Sequence, residues 1–199
     1  MSDHYFSRNP NSETRPQQFE FFLRGKSFKF ETDAGVFSKS EVDFGSRLLI
    51  ETFEWPEIEG PVLDAGCGYG PIGISIAFEQ PERMIHMIDI NDRALALARE
   101  NAKRNGVDNV RIYESDRLQS VSEKGFAAVL TNPPIRAGKQ VVFDILQTGF
   151  AKLLKGGELW VVIQKKQGAP SAIKEIERLA GSCEVAAKAK GYFILRAKK

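Results

Sequence analysis

Two short stretches of this chain hold residue types that can act together on a bound molecule. One is Val62-Leu63-Asp64-Ala65-Gly66-Cys67-Gly68-Tyr69-Gly70. Its apolar start reads as a buried strand. Its glycines let the backbone turn sharply and admit a ligand where a Cβ would collide. Asp89 follows 19 residues after Gly70, at the end of the next apolar run, where a carboxylate can accept hydrogen bonds from both hydroxyls of a ribose. The other stretch is Thr131-Asn132-Pro133-Pro134-Ile135. Its two prolines remove N–H donors and stiffen the turn, which leaves the Asn132 side-chain oxygen and the Pro133 carbonyl as acceptors aimed at fixed positions. An amino group on a planar ring or carbonyl is a poor nucleophile, because its lone pair is delocalised. Two acceptors that each take one N–H steer that lone pair toward an electrophile. Positive charge developing on nitrogen then meets dipoles already oriented for it.

The spacing of the first stretch discriminates among nucleotides. A dinucleotide fold shows Gly-x-Gly-x-x-Gly, and a phosphate loop ends in Gly-Lys-Ser/Thr. Here the third glycine comes one residue early, no lysine follows, and Asp64 would repel a phosphate. An acid in that place favours a cationic amino-acid nucleoside, which points to S-adenosylmethionine. Cys67 reads as a small residue fitting the turn, since no base stands near it in the motif. His86, between Ile85 and Met87, reads as a partly buried filler and His4 as a solvated terminal residue.

Hydrophobic patterning supplies the elements that must position these stretches. Residues 1–18 are polar and suit either a frayed terminus or a substrate-binding arm. Residues 19–32 alternate as a β-hairpin about Arg24-Gly25-Lys26, and a lone hairpin must pack on something. Ser40 or Asp43 is a candidate cap for a helix through Leu48, Leu49 and Ile50. From Pro61 the chain alternates. Strands are expected at 61–65, 84–90, 110–113, 126–131, 159–163, 183–187 and 192–196. Helices are expected at 71–79 and 92–105. A third presents one apolar face from Val141 to Leu153 and stops at Gly156-Gly157, and a fourth carries Ile173, Ile176, Leu179 and Ala180. Continuous apolar strands between amphipathic helices mean an open α/β sheet covered on both faces, with ligands at the carboxyl ends of the central strands. Residues 1–50 would then be an arm, hairpin and helix packed on a core of residues 51–199.

Composition narrows the setting. Of 199 residues, 42% are hydrophobic, in short runs that fall below the roughly 20 residues of a membrane span. The N-terminus lacks an apolar signal core, so a cytoplasmic protein is expected. Cys67 and Cys183 are far apart, which suits reduced thiols and implies no metal site. A net charge of +2 neither demands nor excludes nucleic acid, since clustering of charge on one face is what matters. Nothing in the sequence speaks for an oligomer, and a monomer is the simpler expectation.

The stretch 62–70 closely resembles motif I of class I S-adenosylmethionine-dependent methyltransferases. The resemblance implies a doubly wound, Rossmann-like sheet of seven strands in the order 3-2-1-4-5-7-6, with only the last strand antiparallel. It implies cofactor contacts at Asp64, Gly66, Cys67, Gly68, Gly70, Asp89 with Ile90, and Asn132. Asp116, just past the next strand, looks like the adenine-contacting position, though it also suits a loop cap. Asn132-Pro133-Pro134 resembles the catalytic motif of methyltransferases that act on amide-like or exocyclic nitrogens. Many of these carry an aromatic ring at the next position, to stack on a flat substrate; here it is Ile135. That segment, with 32–38, 43–49 and the hairpin, resembles the small-subunit ribosomal RNA guanine-N2 methyltransferases in their compact single-domain form.

This resemblance implies RNA as partner. It also implies that the stretch from Phe37 and Ser38 to Gly45 helps cover the cofactor, although a simple connector from hairpin to helix would read the same. Phe37 is, by its placement, a candidate to stack on the base. Arg136, Lys139, Lys165 and Lys166 each follow a central strand, so with Ile135 they would form a substrate-binding, phosphate-facing rim. Lys174, Arg178, Lys188 and Lys190 read as ordinary surface. Two other functions stay open: a protein glutamine-N5 methyltransferase and a non-catalytic RNA-binding module. Ile135 and the basic segment 136–139 argue against the first. The intact Asp64, glycines, Asp89 and Asn-Pro-Pro set argues against the second.

Overall fold

The computed structural model describes residues 15–36 and 41–199. Gln17–Leu23 (β1) and Lys26–Thr32 (β2) form the expected hairpin, with Phe19 opposite Phe30 and Phe21 opposite Phe28. Arg24 and Gly25 both have positive φ, 46° and 81°, the turn geometry that matches the twist of two paired strands. Helix α1 (Phe44–Thr52) is capped by Asp43, whose carboxylate accepts from the Ser46 N–H. The alternative cap, Ser40, lies outside the described residues, as do His4, Phe37 and Ser38.

The alternating part then runs β3 (Val62–Ala65), α2 (Pro71–Glu79), β4 (Ile85–Asp89), α3 (Asp92–Arg104), β5 (Val110–Glu114), β6 (Phe126–Thr131), α4 (Lys139–Lys152), β7 (Leu153–Gln164), α5 (Ala169–Ala180), β8 (Glu184–Ala189) and β9 (Tyr192–Lys198). The strands stand in the order β5-β4-β3-β6-β7-β9-β8. β9 alone runs antiparallel to its neighbours. This is the order that the resemblance implied. β3 and β6 are buried at every residue, as central strands covered on both faces must be. Among the described residues no helix is long and apolar enough to cross a membrane.

The hairpin is fastened to the sheet by side chains that imitate a strand. Asn101 on α3 and Asn105, its C-cap four residues on, each present an amide to the open edge of β2. Asn101 accepts from the Glu31 N–H at 2.7 Å and donates to the Glu31 carbonyl at 2.8 Å. Asn105 does the same for Lys29, at 2.9 and 2.8 Å. Beneath, the rings of Phe19 and Phe30 meet Tyr69 edge-on at 6.2 and 5.7 Å. The hairpin therefore rests on the glycine-rich turn itself.

One boundary differs from expectation. Gly156-Gly157 does not stop α4, which ends at Lys152, with β7 beginning at once. Phe126 pairs with Leu153 but Ala128 pairs with Glu158, so the two glycines lie in a strand irregularity. A Cβ on Gly157 would come within 2.9 Å of the Phe126 carbonyl. Gly157 serves the close approach of two backbones in a bulge and Gly156 its left-handed turn, at φ 84°, a pattern that reads like a helix stop in one dimension.

Candidate active site

A cavity of about 340 Å³ opens at the carboxyl ends of β3, β4, β5 and β6. Its floor is the turn 66–69. The Gly66 and Cys67 N–H groups both donate to the Ile88 carbonyl, at 2.9 and 2.8 Å, which pins the turn to the end of β4. Gly66 and Gly68 have φ of 81° and 56°, and a Cβ on either would stand in open space. They are needed for a left-handed backbone beside the cavity. Gly70, at φ 98°, has a different reason: a Cβ there would meet Ile74 at 2.6 Å.

Asp89 lies on the wall, with Ile90 beside it. Its two oxygens accept from the Gly68 and Asn91 N–H groups, each at 2.9 Å, and keep their remaining lone pairs. Burial pushes its carboxyl above the ordinary carboxylate range, against the pull of the backbone N–H donors. Asp64, expected as a cofactor contact, does not line the cavity. It is fully buried behind the turn, one oxygen accepting from the Gly73 N–H at 2.9 Å and the other without a partner. Burial pushes it up to about 7, with the Asp89 charge adding to the rise. The Cys67 thiol is also pushed well up, chiefly by burial, then by Asp89 and Asp64. It is a neutral thiol and no nucleophile. Asp116 borders the cavity, but its carboxylate already takes two hydrogen bonds from Arg117, at 3.0 and 3.1 Å.

Opposite the turn stands Asn132, at the end of β6, whose preceding Thr131 hydroxyl donates to the Ala65 carbonyl at 2.8 Å. The Asn132 amide nitrogen donates to the Ser46 hydroxyl at 3.0 Å and to Asp43 Oδ1 at 3.4 Å. A carboxylate only accepts, so this contact decides which way the amide faces and leaves its oxygen for another donor. No hydrogen bond among the described residues engages the Pro133 carbonyl, whereas the Pro134 carbonyl accepts from Ala137. Asp43, Ser46, Asn132, Pro133 and Pro134 all line the cavity.

The expected substrate residues lie elsewhere. Ile135 packs against the apolar cluster under α4 and does not face the cavity. Arg136 and Lys139 are exposed just past it, and Lys165 and Lys166 are exposed in a short turn after β7. All four sit outside the cavity, on the same edge of the sheet.

The model of the methyltransferase small domain family matches residues 27–196. The chain belongs to that family. Within reach of this methyltransferase small domain, the uncharacterized protein YbxB of Bacillus subtilis (strain 168) is 56% identical over the whole of both chains. Ribosomal RNA small subunit methyltransferase C of Vibrio parahaemolyticus is 33% identical over 95% of this chain and 54% of its own length. Ribosomal RNA large subunit methyltransferase G of Klebsiella pneumoniae is 28% identical over 96% of this chain and 51% of its own. The solved structure of the T. thermophilus 16S rRNA N2 G1207 methyltransferase (RsmC) with AdoMet and guanosine superposes with a TM-score of 0.83, at 23% identity, over 96% of this chain and 52% of that one. At that identity the likeness speaks for the fold. The chain spans about half the length of the curated ribosomal RNA methyltransferases it matches.

The residues of the cavity fit S-adenosylmethionine, the methyl donor of this methyltransferase fold. The left-handed glycine turn leaves open space, Asp89 keeps free acceptors, and Ile90, Leu118 and Val141 offer apolar walls. Asp64 leaves one buried oxygen unpartnered behind the turn. The sequence marks Asp43 as a cap and, by resemblance, as part of the stretch to Gly45 that covers the cofactor, and Ser46 only as part of the family-like segment 43–49. Their contact with Asn132 spans 89 and 86 residues, and no local pattern signals it.

Proposed function

We propose that this methyltransferase acts on the exocyclic N2 amine of a guanine in RNA, with small-subunit ribosomal RNA as its substrate. The observation that carries the reading is the fixed amide of Asn132. Its nitrogen side is tied to Asp43 and Ser46, which leaves its oxygen as one acceptor. The neighbouring Pro133, whose carbonyl no hydrogen bond among the described residues engages, lines the same cavity as a second. A primary amine on a planar ring has two N–H groups to give them.

S-adenosylmethionine, when bound, supplies a methyl group made electrophilic by a sulfonium. Asp89 would hold the ribose hydroxyls, and the turn 66–69 would lie along the nucleoside. Asn132 and Pro133 hold the two N–H groups of the amine and turn its lone pair inward. As nitrogen gains positive charge, both acceptors face it without reorganising. The surplus proton is acidic and leaves to water, so no strong base is required. The neutral Cys67 thiol takes no part.

The test is mass-spectrometric mapping of methylated guanines in the RNA of both ribosomal subunits, with and without the protein. A small-subunit N2-methylguanine that disappears with the protein is expected. An unchanged guanine pattern, or transfer of labelled methyl to protein glutamine instead, overturns the reading.

A further inference from the structure

We infer that Phe44 and Tyr192, with the cations around them, form the landing surface for the single-stranded RNA beside the target base, and that this ring pair does the stacking that Ile135 cannot. The inference rests on the RNA reading above.

Placement comes first. β9 runs backward, so Tyr192 pairs with Gln164 at the carboxyl edge of the sheet. The Lys165 N–H donates to the Gly191 carbonyl at 2.8 Å, which locks the β8–β9 turn beside the turn that carries Lys165 and Lys166. Phe44 opens α1, next to Asp43, which lines the cavity and holds Asn132. The Phe44 and Tyr192 rings lie 5.6 Å apart at 49°. Gly45 makes room for this: a Cβ there would come within 2.8 Å of the Tyr192 ring. Both rings are half-buried, and Tyr192 packs against the core cluster.

Charge comes second. Lys190 Nζ stands 4.8 Å from the centre of the Phe44 ring, and the Arg47 guanidinium 5.5 Å from it. Six arginines away from this surface are neutralised, whereas, among the described residues, Arg83, Arg99 and Arg111 are not. Arg24, Arg93, Arg104, Arg117, Arg178 and Arg196 each pair with a carboxylate. Arg47, Arg136, Lys139, Lys165, Lys166 and Lys190 have no carboxylate partner within 4 Å among the described residues. Unpaired cations beside partly accessible rings suit a single strand: cations follow its phosphates and rings stack its bases.

The experiment measures affinity of the full chain for a guanine-containing RNA oligonucleotide and for an abasic strand of equal length, over a range of salt. The wild type should prefer the strand with bases by roughly tenfold. Phe44→Leu and Tyr192→Leu should erase that preference. Lys190→Ala with Lys165→Ala, which disturbs only exposed side chains, should flatten the salt dependence by about 0.7 in slope for each lost phosphate contact. Calorimetry of S-adenosylmethionine binding checks that each variant is folded. Wild-type affinity unchanged in both sets of variants, with methyl transfer to RNA intact, overturns this inference and leaves the proposed function standing. If the wild type neither binds nor methylates RNA, both fall.

Discussion

The two walls of the cavity are built in opposite ways. On the wall where the methyl donor would lie, the donor side, the turn 66–69 gives its Gly66 and Cys67 N–H groups to the Ile88 carbonyl, and Asp89 and Asp64 accept from backbone N–H groups close by in sequence or on the adjoining strand. On the acceptor side, Asn132 takes its orientation from Asp43 and Ser46, on a helix 86 or more residues earlier. The donor wall is therefore set once β3 and β4 pair. The acceptor wall exists only when α1 has docked over the sheet, and one side-chain contact decides which way the amide points.

The largest expected effect separates the walls outright. Asn132→Ala should lower methyl transfer by on the order of a hundredfold or more while calorimetry finds S-adenosylmethionine binding near wild type. Asp89→Ala should do the reverse, weakening cofactor binding by roughly a hundredfold through loss of charge-assisted hydrogen bonds. If both variants lose binding and turnover together, the two walls are one unit and the contrast fails.

A smaller effect tests the long-range contact. Asp43→Ala should cost on the order of tenfold in kcat, because the Asn132 amide is free to turn. It also removes a helix cap, at about 1 kcal/mol. Asp43→Asn can still accept from Ser46 and from Asn132, and should restore both melting temperature and kcat. Cofactor affinity should stay level throughout. An unaltered kcat in Asp43→Ala would show that the amide is oriented by Ser46 alone.

The smallest effect lies on the donor side and concerns pH. The Asp64 carboxyl rises from an ordinary 3.8 to about 7 in the folded chain, so over that interval the folded state binds more protons than the unfolded one. Stability should accordingly fall as pH rises from about 4 to about 7 and level off above. Asp89, also raised, contributes in the same direction. Asp64→Asn should make the fall shallower without abolishing it, as read from melting curves in the absence of cofactor. A slope equal to wild type would show that Asp64 does not titrate there.

Much of this molecule could be read in one dimension, for a physical reason. A buried strand, a glycine turn and a helix cap are local solutions to backbone hydrogen bonding, and their signatures are contiguous: Val62 to Gly70, Asn91 ahead of α3, and the Arg24-Gly25 turn. The α4–β7 boundary was not legible, because a glycine pair that ends a helix and one that lets strands bulge together look alike until the neighbour is known. Ile135 was misplaced for the same reason, since only packing tells whether a residue after a rigid turn faces the cavity or the core.

The sequence by itself determined the alternation of buried strands and amphipathic helices, the glycine turn with an acid at the end of the next strand, and the stiff Asn132-Pro133-Pro134 turn; the strand order followed from the family resemblance. Tertiary structure alone decided three things. It placed Asp64 behind the turn and off the wall, and it turned the Asn132 amide through Asp43. It also brought Phe44, Tyr192 and Lys190, distant in the chain and bland in isolation, to one edge beside the cavity. Contacts of that kind are made by the docking of finished elements, and such docking leaves no periodicity in the chain that precedes it.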